Sequence, residues 1–303
     1  MILYIFVAVL TVFLGLMVNN HCKIQQNIVS RQQILNRLCL VSVFLLLFGL
    51  AACRLNVGND YAKYVEFMHL INCDAFVPTE AGFNWIVRII YNLSGFENYL
   101  LVFAFFAFFT VLIFMAAIYR QADSFGFSFF LFMAFGYYFQ SFNTVRYYLA
   151  LAIAVAVIPY VLGRQWFKFI LLVLLGATLH KSILVVIPLY FLASLTWKKW
   201  QLGLAAVFCS TFFFMQDFYL KVVVFLYPTY EDTEYLEGGT SIVNIARCLA
   251  VLIFSLIYYK NTVKDKRRNR FYFYCNLGAL VMYVCCSFLP IISRIGYYLT
   301  FTH

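Results

Sequence analysis

Long runs of apolar residues recur along the whole chain and constrain its fold more than any other feature. One run, 99–118, contains no charged residue. A helix needs about 20 mostly apolar residues to cross the hydrocarbon of a bilayer. Of the 303 residues, 65% are hydrophobic and 11% are charged, which excludes a soluble globular domain. The sequence therefore predicts an all-α, polytopic integral membrane protein.

We predict about ten transmembrane helices in a single membrane domain, 1–303. Alternation with a period of two residues is absent, which argues against an outer-membrane barrel. The first segment lacks a basic n-region and a small-residue cleavage site, so we predict a retained span and not a removed signal peptide. Several segments are short and must tilt little, or dip into the bundle without crossing fully. The predicted spans are 1–18, 36–53, 99–118, 126–141, 146–162, 167–179, 182–195, 201–216, 242–259 and 271–290.

Lysine and arginine are divided unevenly between the two sets of connections. With the N-terminus outside, the inner connections hold 14 of the 22 basic residues and only two acids. The outer side holds eight basic and ten acidic residues, so the net charges of +12 and −2 give the total of +10. Because basic residues are retained on the cytoplasmic side, this bias sets the orientation. The basic run 264–270 is then a cytoplasmic anchor beside anionic lipid, and no nucleic-acid partner is predicted.

Two outer loops, 54–98 and 217–241, are longer than a connection needs. In the first, apolar residues share one face of a short helix, with polar residues on another face, and we expect this helix on the outer surface. The second is acidic, which is typical of a mobile lid or of an ordinary solvated loop, and we favour the solvated loop. The apolar face is predicted from Phe83, Ile86, Ile90 and Leu93, and the polar face from Asn84 and Arg88.

The positions of the cysteines indicate a packing role rather than metal binding. Of the nine, most lie within predicted spans, and we find no Cys-x-x-Cys motif or Cys/His spacing typical of a metal site. They are predicted to act as small apolar residues. Cys53 and Cys73 both lie near the outer face, which leaves a disulfide between them open. No metal site and no cofactor is predicted.

Basic residues at outer-leaflet depth carry the functional signal. Arg146, His180 and Arg294 lie at the ends of apolar segments on the side where basic residues should be scarce. A lone cation there often extends to lipid phosphate, and His180 can equally be a helix-end histidine satisfied by a backbone carbonyl. Arg247 lies inside a span, where a charge costs about 2.5–3.5 kcal/mol at the centre. Together with Asp60, these groups indicate a polyanionic ligand such as a lipid diphosphate. A guanidinium group stays charged and can donate two parallel hydrogen bonds to phosphate oxygens.

The order of several short motifs resembles the EpsG family of Wzy-like polysaccharide polymerases, and the resemblance runs from the first span to Tyr298. Members of this family usually continue with further spans, so the resemblance implies that the chain is truncated at His303. The motifs are Arg54 with Gly58-Asn59-Asp60-Tyr61 and Tyr64, Glu80-Ala81-Gly82-Phe83, Asn143-Thr144-Val145-Arg146, His180-Lys181-Ser182, and Ser293-Arg294-Ile295-Gly296-Tyr297-Tyr298.

The resemblance implies an enzyme, an inverting glycosyltransferase at the outer face of a bacterial inner membrane. It would join oligosaccharide repeat units carried on undecaprenyl diphosphate, in a membrane that also holds other polysaccharide-assembly proteins. Such chemistry needs stabilisation of the leaving diphosphate and a base near the acceptor hydroxyl. We expect Arg146, Arg294 and Arg247 at the diphosphate, with Arg54 either joining them or pairing with Asp60; His180 or Asp60 as the base; and Tyr61, Tyr64, Asn84 and Trp85 along the sugar path.

Other classes of membrane protein use similar residues. A flippase or exporter of lipid-linked oligosaccharide is the main alternative, although transporters tend to show inverted repeats with charge near the midplane. An acyltransferase drawing on a cytoplasmic thioester would need its histidine reachable from inside, whereas His180 is predicted outside. A structural scaffold would not explain Arg247.

Overall fold

The computed structural model of the chain describes residues 2–21, 30–226, 241–288 and 292–301. All regular structure within these ranges is helical, which confirms the all-α prediction. The α-helices are α1 Ile2–Leu16, α2 Arg31–Ala52, α3 Tyr61–Asn72, α4 Ala81–Ser94, α5 Tyr99–Gln121, α6 Phe125–Ala134, α7 Tyr137–Gln140, α8 Val145–Ala156, α9 Ile158–Leu162, α10 Trp166–Ala177, α11 Val186–Ser194, α12 Lys199–Phe214, α13 Gln216–Leu226, α14 Ile242–Ile257, α15 Arg267–Cys285 and α16 Ile292–Thr300. A 3-10 helix, Lys181–Val185, precedes α11, and a π-helical turn, Tyr259–Val263, follows α14.

Within the described ranges, three helical segments are long and apolar enough to cross a membrane: Arg31–Ala52, Tyr99–Gln121 and Val145–Leu162. The pair Trp200–Phe212 and Gln216–Val222, bent by 85° at its break, would make a fourth. Shorter apolar helices accompany them, so the chain is a membrane protein. Ten full spans are not confirmed, because several segments are interrupted; the predicted span 126–141, for example, breaks at Gly136 between α6 and α7.

The chain divides into two compact units. The first unit comprises Met1–Pro159 and Leu171–Ile183, and the second comprises Tyr160–Ile170 and Leu184–His303. Within the first unit, α5 packs against α2 and α8, while α1 packs against α2 and α6. Within the second unit, α15 is central and contacts α11, α12, α14 and α16.

Local capping explains where the two longest helices begin. Ser30 and Gln33 form a reciprocal capping box at the start of α2, which satisfies two backbone N–H groups that the first turn leaves unpaired. At the start of α5, the Asn98 side chain accepts a hydrogen bond from Leu101 N at 3.0 Å. Each helix continues into an apolar run, and burial of those side chains stabilises the rest of the helix.

The loop 54–98 folds into a helical hairpin, which we call the cap. The sequence predicts one short helix here, whereas the structure has two, α3 and α4. The predicted apolar face is right at Phe83 and Ile90, which are buried, but wrong at Leu93, which is 82% exposed. Val87 and Tyr91 complete the buried face instead, because they continue the spacing of three and four residues.

The cap shares one apolar core with the first unit. Side chains of α3 and α4 pack against α5 and against the first turns of α8. The cap is therefore an integral part of this unit rather than an isolated surface helix. Its position at the outer face of the membrane stays a prediction. The shared core includes Tyr61, Tyr64, Met68, Phe83, Val87, Phe103, Phe106, Val145 and Leu149.

The structure also bears on the predictions for the loop 217–241 and for the cysteines. Residues 217–226 of the predicted loop 217–241 are helical in α13, and residues 227–240 lie outside the described residues. Cys248 and Cys275 are buried, as expected of packing residues. Cys53 and Cys73 are exposed free thiols, so the disulfide that the sequence leaves open is not formed.

Candidate functional site

Three connections of the first unit meet at the side chain of Glu80. Glu80 is the N-cap residue of α4, Arg146 lies in the first turn of α8, and His180 follows α10. Each therefore extends from the end of a helix, where the chain leaves regular structure. The contacts that join these helix ends are tertiary: Glu80 is separated by 66 positions from Arg146 and by 101 positions from Lys181.

The Glu80 carboxylate is fully engaged. Its Oε2 accepts a short hydrogen bond from Arg146 Nη1, and its Oε1 accepts one from the backbone N–H of Lys181 at 3.0 Å. His180 Nδ1 lies 3.3 Å from the same Oε1, within ion-pair distance. The side chains of Glu80, Arg146 and His180 are 11%, 12% and 17% exposed. This Glu80 network is thus a nearly buried cluster.

Gly82 holds the Glu80 segment against the His180 segment. Its N–H donates a hydrogen bond to Thr178 O at 2.9 Å. A Cβ at this position would lie 2.6 Å from the same carbonyl oxygen and from the Thr178 hydroxyl, closer than atoms approach without displacement. Any other residue would push α4 away from the end of α10, so glycine allows the contact on which the network depends.

Glu80 remains ionised at neutral pH. Burial alone would raise the pKa of its carboxyl, but the contact from His180, the charge of Arg146 and the Lys181 amide outweigh burial and lower this pKa to about 2. The carboxylate in turn offsets the positive charge of Arg146. The pair is therefore close to electrically neutral, so Arg146 by itself does not supply a net cation at this point.

Arg146 is held on its other sides by aromatic rings. Its guanidinium carbon lies 5.1 Å from the centroid of Phe83 and 5.7 Å from that of Tyr64. Such cation–π contacts hold a charged group in an apolar setting. Its Nε is buried and has no hydrogen-bond acceptor among the described residues. One N–H donor of this guanidinium is therefore unsatisfied within the Glu80 network.

The contact with Glu80 fixes the direction of the His180 ring. Nδ1 faces the carboxylate, and the ring stands edge-on to Tyr147 with 5.7 Å between centroids. Nδ1 lies at ion-pair distance from the carboxylate but does not meet hydrogen-bond geometry, and it has no hydrogen-bond partner among the described residues. The role of His180 as the base stays a prediction.

Arg54 lies in a second, different setting in the same unit. It is 5% exposed, and its guanidinium carbon is 4.9 Å from the centroid of Phe103 and 5.0 Å from that of Phe142. No carboxylate lies within ion-pair distance among the described residues, so the pairing with Asp60 left open by the sequence is not formed. Burial lowers the pKa of Arg54 to about 10, and the group stays charged at neutral pH.

The family of this chain follows from its comparison with known proteins. Residues 37–303 match the EpsG family over most of the chain. The chain belongs to the EpsG family. No curated protein and no solved structure matches it.

In this EpsG-family chain, the other predicted site residues occupy varied positions. Tyr61 and Tyr64 are buried in the core of the cap, Tyr61 stacked on Phe103 at 4.9 Å. Asn84 accepts a short hydrogen bond from Thr79, and Trp85 is 67% exposed. Their role along a sugar path stays a prediction. Asp60 is half-buried at the start of α3.

The remaining two predicted arginines belong to the second unit of this EpsG-family protein. Arg247 lies in α14 and Arg294 in α16, and both are half-buried. The prediction that they share one cavity with Arg146 and His180 stays a prediction.

Glu80 is the residue that the sequence did not single out. It stands in the Glu-Ala-Gly-Phe motif of the resemblance, but a carboxylate before a helix is ordinarily a solvated N-terminal residue. The available signal was its position two residues before Gly82, inside a motif that resembles the EpsG family.

Proposed function

We propose that this protein is a Wzy-like polysaccharide polymerase, an inverting glycosyltransferase that joins undecaprenyl-diphosphate-linked repeat units at the outer face of a bacterial inner membrane. The observation that carries the proposal is the Glu80 network, in which one carboxylate orients a histidine and an arginine side by side. Membership in the EpsG family supports the reaction class. The distribution of basic residues supports the outer location, because the positive-inside rule assigns 54–98, Asn143 to Arg146 and His180 to the same side.

In the proposed reaction, the acceptor hydroxyl oxygen attacks the anomeric carbon of the donor glycan. The bond between that carbon and the lipid diphosphate breaks, and the diphosphate leaves with the bonding electrons. The acceptor proton passes to Nε2 of His180, which the Glu80 carboxylate prepares from the opposite side of the ring. Attack from the face opposite the leaving group inverts the configuration at the anomeric carbon.

The diphosphate requires more charge than Arg146 alone provides. Glu80 offsets one positive charge, and the unsatisfied Nε of Arg146 offers a directed donor rather than net charge. Arg294 and Arg247 are the further cations that the sequence predicts for the diphosphate, and we propose that the uncompensated cation of Arg54 adds to the positive potential of the first unit. Donors placed where negative charge develops stabilise the transition state more than the ground state.

Elongation of a lipid-linked repeat, supplied directly to the outer face of proteoliposomes, tests the proposal. His180→Ala should lower turnover by about 10²- to 10⁴-fold if His180 is the base, with a smaller effect on donor binding. Arg146→Lys keeps a charge but loses the paired donor geometry, so turnover should fall on the order of 10²-fold or more. The readout is the length distribution of the lipid-linked glycan.

Matched controls are available in the same chain. Arg88→Lys changes an arginine that is 54% exposed and pairs with Asp74, and His21→Ala changes an exposed histidine. Both should elongate like the parent. Undiminished elongation by His180→Ala and Arg146→Lys would reject these residues as the site. Glycan translocation without any new glycosidic bond, in the parent as in the variants, would identify a flippase and reject the polymerase.

A further inference from the structure

Three metal-ligating side chains lie together at the surface of the cap, outside the Glu80 network. His69 is in the last turn of α3, Cys73 follows that helix, and Glu97 lies between α4 and α5. His69 Nδ1 is 3.0 Å from both Glu97 oxygens, and His69 Nε2 is 3.8 Å from Cys73 Sγ. One ligand atom from each residue lies within 4.8 Å of the others.

The local backbone explains why these side chains converge. Residues four positions apart lie on the same face of an α-helix, so His69 and Cys73 present their side chains in one direction. Asn72 donates a hydrogen bond to Glu97 Oε1 at 2.8 Å and thereby brings the third side chain to the same face. The spacing of His69 and Cys73 does not by itself indicate a metal site, because Glu97, the third member, is 28 residues from His69.

We propose that His69, Cys73 and Glu97 form a zinc-binding site on the cap. One imidazole nitrogen, one thiolate and one carboxylate are the donor set that Zn²⁺ accepts, with a water molecule in the fourth tetrahedral position. Zinc–ligand distances of about 2.0–2.3 Å place tetrahedral ligands roughly 3.3–3.7 Å apart. The 3.8 Å between His69 Nε2 and Cys73 Sγ is already near this range, whereas the Glu97 oxygens contact Nδ1, the other nitrogen of the ring. The side chains are exposed, so rotation brings in the carboxylate without disturbing the core.

The charges of the three groups suit a divalent cation. As the zinc–sulfur bond forms, the Cys73 thiol loses its proton to solvent, while His69 binds in its neutral form. The thiolate and the Glu97 carboxylate together neutralise Zn²⁺. Without a metal, the contact between His69 and Glu97 is exposed to solvent and stabilises the fold little.

A bound metal would tie the end of α3 to the connection before α5. These two positions bracket the whole of α4, so the metal closes the cap as a covalent cross-link would. Because a metal that binds only the folded state stabilises it, the cap should resist thermal unfolding more strongly with zinc present. This role is independent of the polymerase reaction.

Cobalt is the spectroscopic probe for the site. Full-length protein in non-ionic detergent, stripped with a chelator, should bind one Co²⁺ per chain. We expect a thiolate-to-cobalt charge-transfer band and the intense visible bands of tetrahedral cobalt, both removed by stoichiometric Zn²⁺. Cys73→Ser should abolish the charge-transfer band, and His69→Gln and Glu97→Gln should each weaken Co²⁺ binding at least tenfold.

Cys53→Ser is the matched control, because Cys53 is also an exposed free thiol at the edge of the cap. It should leave the spectrum and the affinity unchanged. Thermal unfolding provides a second measurement: Zn²⁺ should raise the unfolding temperature of the parent and of Cys53→Ser, but not that of Cys73→Ser. A charge-transfer band that persists in Cys73→Ser or disappears in Cys53→Ser would overturn the proposal. The same holds if the folded parent shows no tetrahedral cobalt spectrum.

Discussion

Two regions of the first unit bury an arginine in opposite ways. Around Arg146, a carboxylate lies at hydrogen-bond distance and aromatic rings flank the pair. Around Arg54, two phenyl rings face the guanidinium and no described carboxylate approaches it. Both side chains are almost removed from water, so the difference lies in how the charge is compensated.

The difference separates two tasks that an anion-binding protein must perform. A guanidinium paired with a carboxylate is fixed in direction but contributes little net charge. A guanidinium held by aromatic faces keeps its full charge, because the ring quadrupole attracts the cation without neutralising it. The Arg146 region is thus suited to orienting groups, and the Arg54 region to raising the local positive potential.

Among the changes that test this difference, removing the charge of Glu80 should lower the stability of the protein most. Glu80→Gln keeps the shape of the side chain but leaves Arg146 buried without its counter-charge, and breaking a buried pair in this way costs about 3–5 kcal/mol. Thermal unfolding in non-ionic detergent measures the loss. Glu66→Gln, at an exposed carboxylate on α3 of the same cap, should leave the stability almost unchanged.

A double variant distinguishes a lost pair from a damaged helix end. If the cost arises from the unpaired guanidinium, Arg146→Met combined with Glu80→Gln should be more stable than the sum of the two single changes predicts. Additive effects in that cycle, or a Glu80→Gln variant as stable as Glu66→Gln, would mean that the pair does not stabilise the unit.

Only part of this site is visible in the sequence. Arg146 and His180 attract attention individually, because basic residues are scarce at the predicted outer ends of spans. Glu80 does not, since its partners lie 66 and 101 positions along the chain and no periodic pattern links them. Contacts of this kind depend on how helix ends are brought together, which local spacing does not report.

The fold, like the site, could be predicted from the sequence only in part. Spacing of apolar residues predicts α4, because Phe83 and Ile90 mark one face of a short helix. Helix α3 was missed because its buried face is built from Tyr61, Tyr64 and Met68, and tyrosines at a predicted outer loop indicate ligand contact as readily as packing. The number of full spans was also beyond the sequence, since apolar composition does not show where a helix breaks.

Acid should lower the stability of the first unit somewhat less than Glu80→Gln does. The pKa of Glu80 is lowered from 4.5 to about 2, so its stabilising contribution is complete above pH 4.5 and is lost as the pH falls towards 2. A shift of this size corresponds to about 3 kcal/mol. Unfolding measured between pH 6 and 2 should show the parent losing its advantage over Glu80→Gln across this window. An advantage that stays constant down to pH 2 would contradict the lowered pKa.

The smallest effect is expected at Arg54. Arg54→Met removes two cation–π contacts, each worth about 2 kcal/mol when desolvated, but it also removes the cost of burying a charge and leaves no carboxylate unpaired. These terms oppose each other, so the stability should change by less than about 2 kcal/mol and less than in Glu80→Gln. Arg88→Met, at an exposed arginine, is the matched control for thermal unfolding in the same detergent. A loss at Arg54 as large as that at Glu80 would mean that the Arg54 guanidinium is compensated by an anion, and the contrast between the two regions would then disappear.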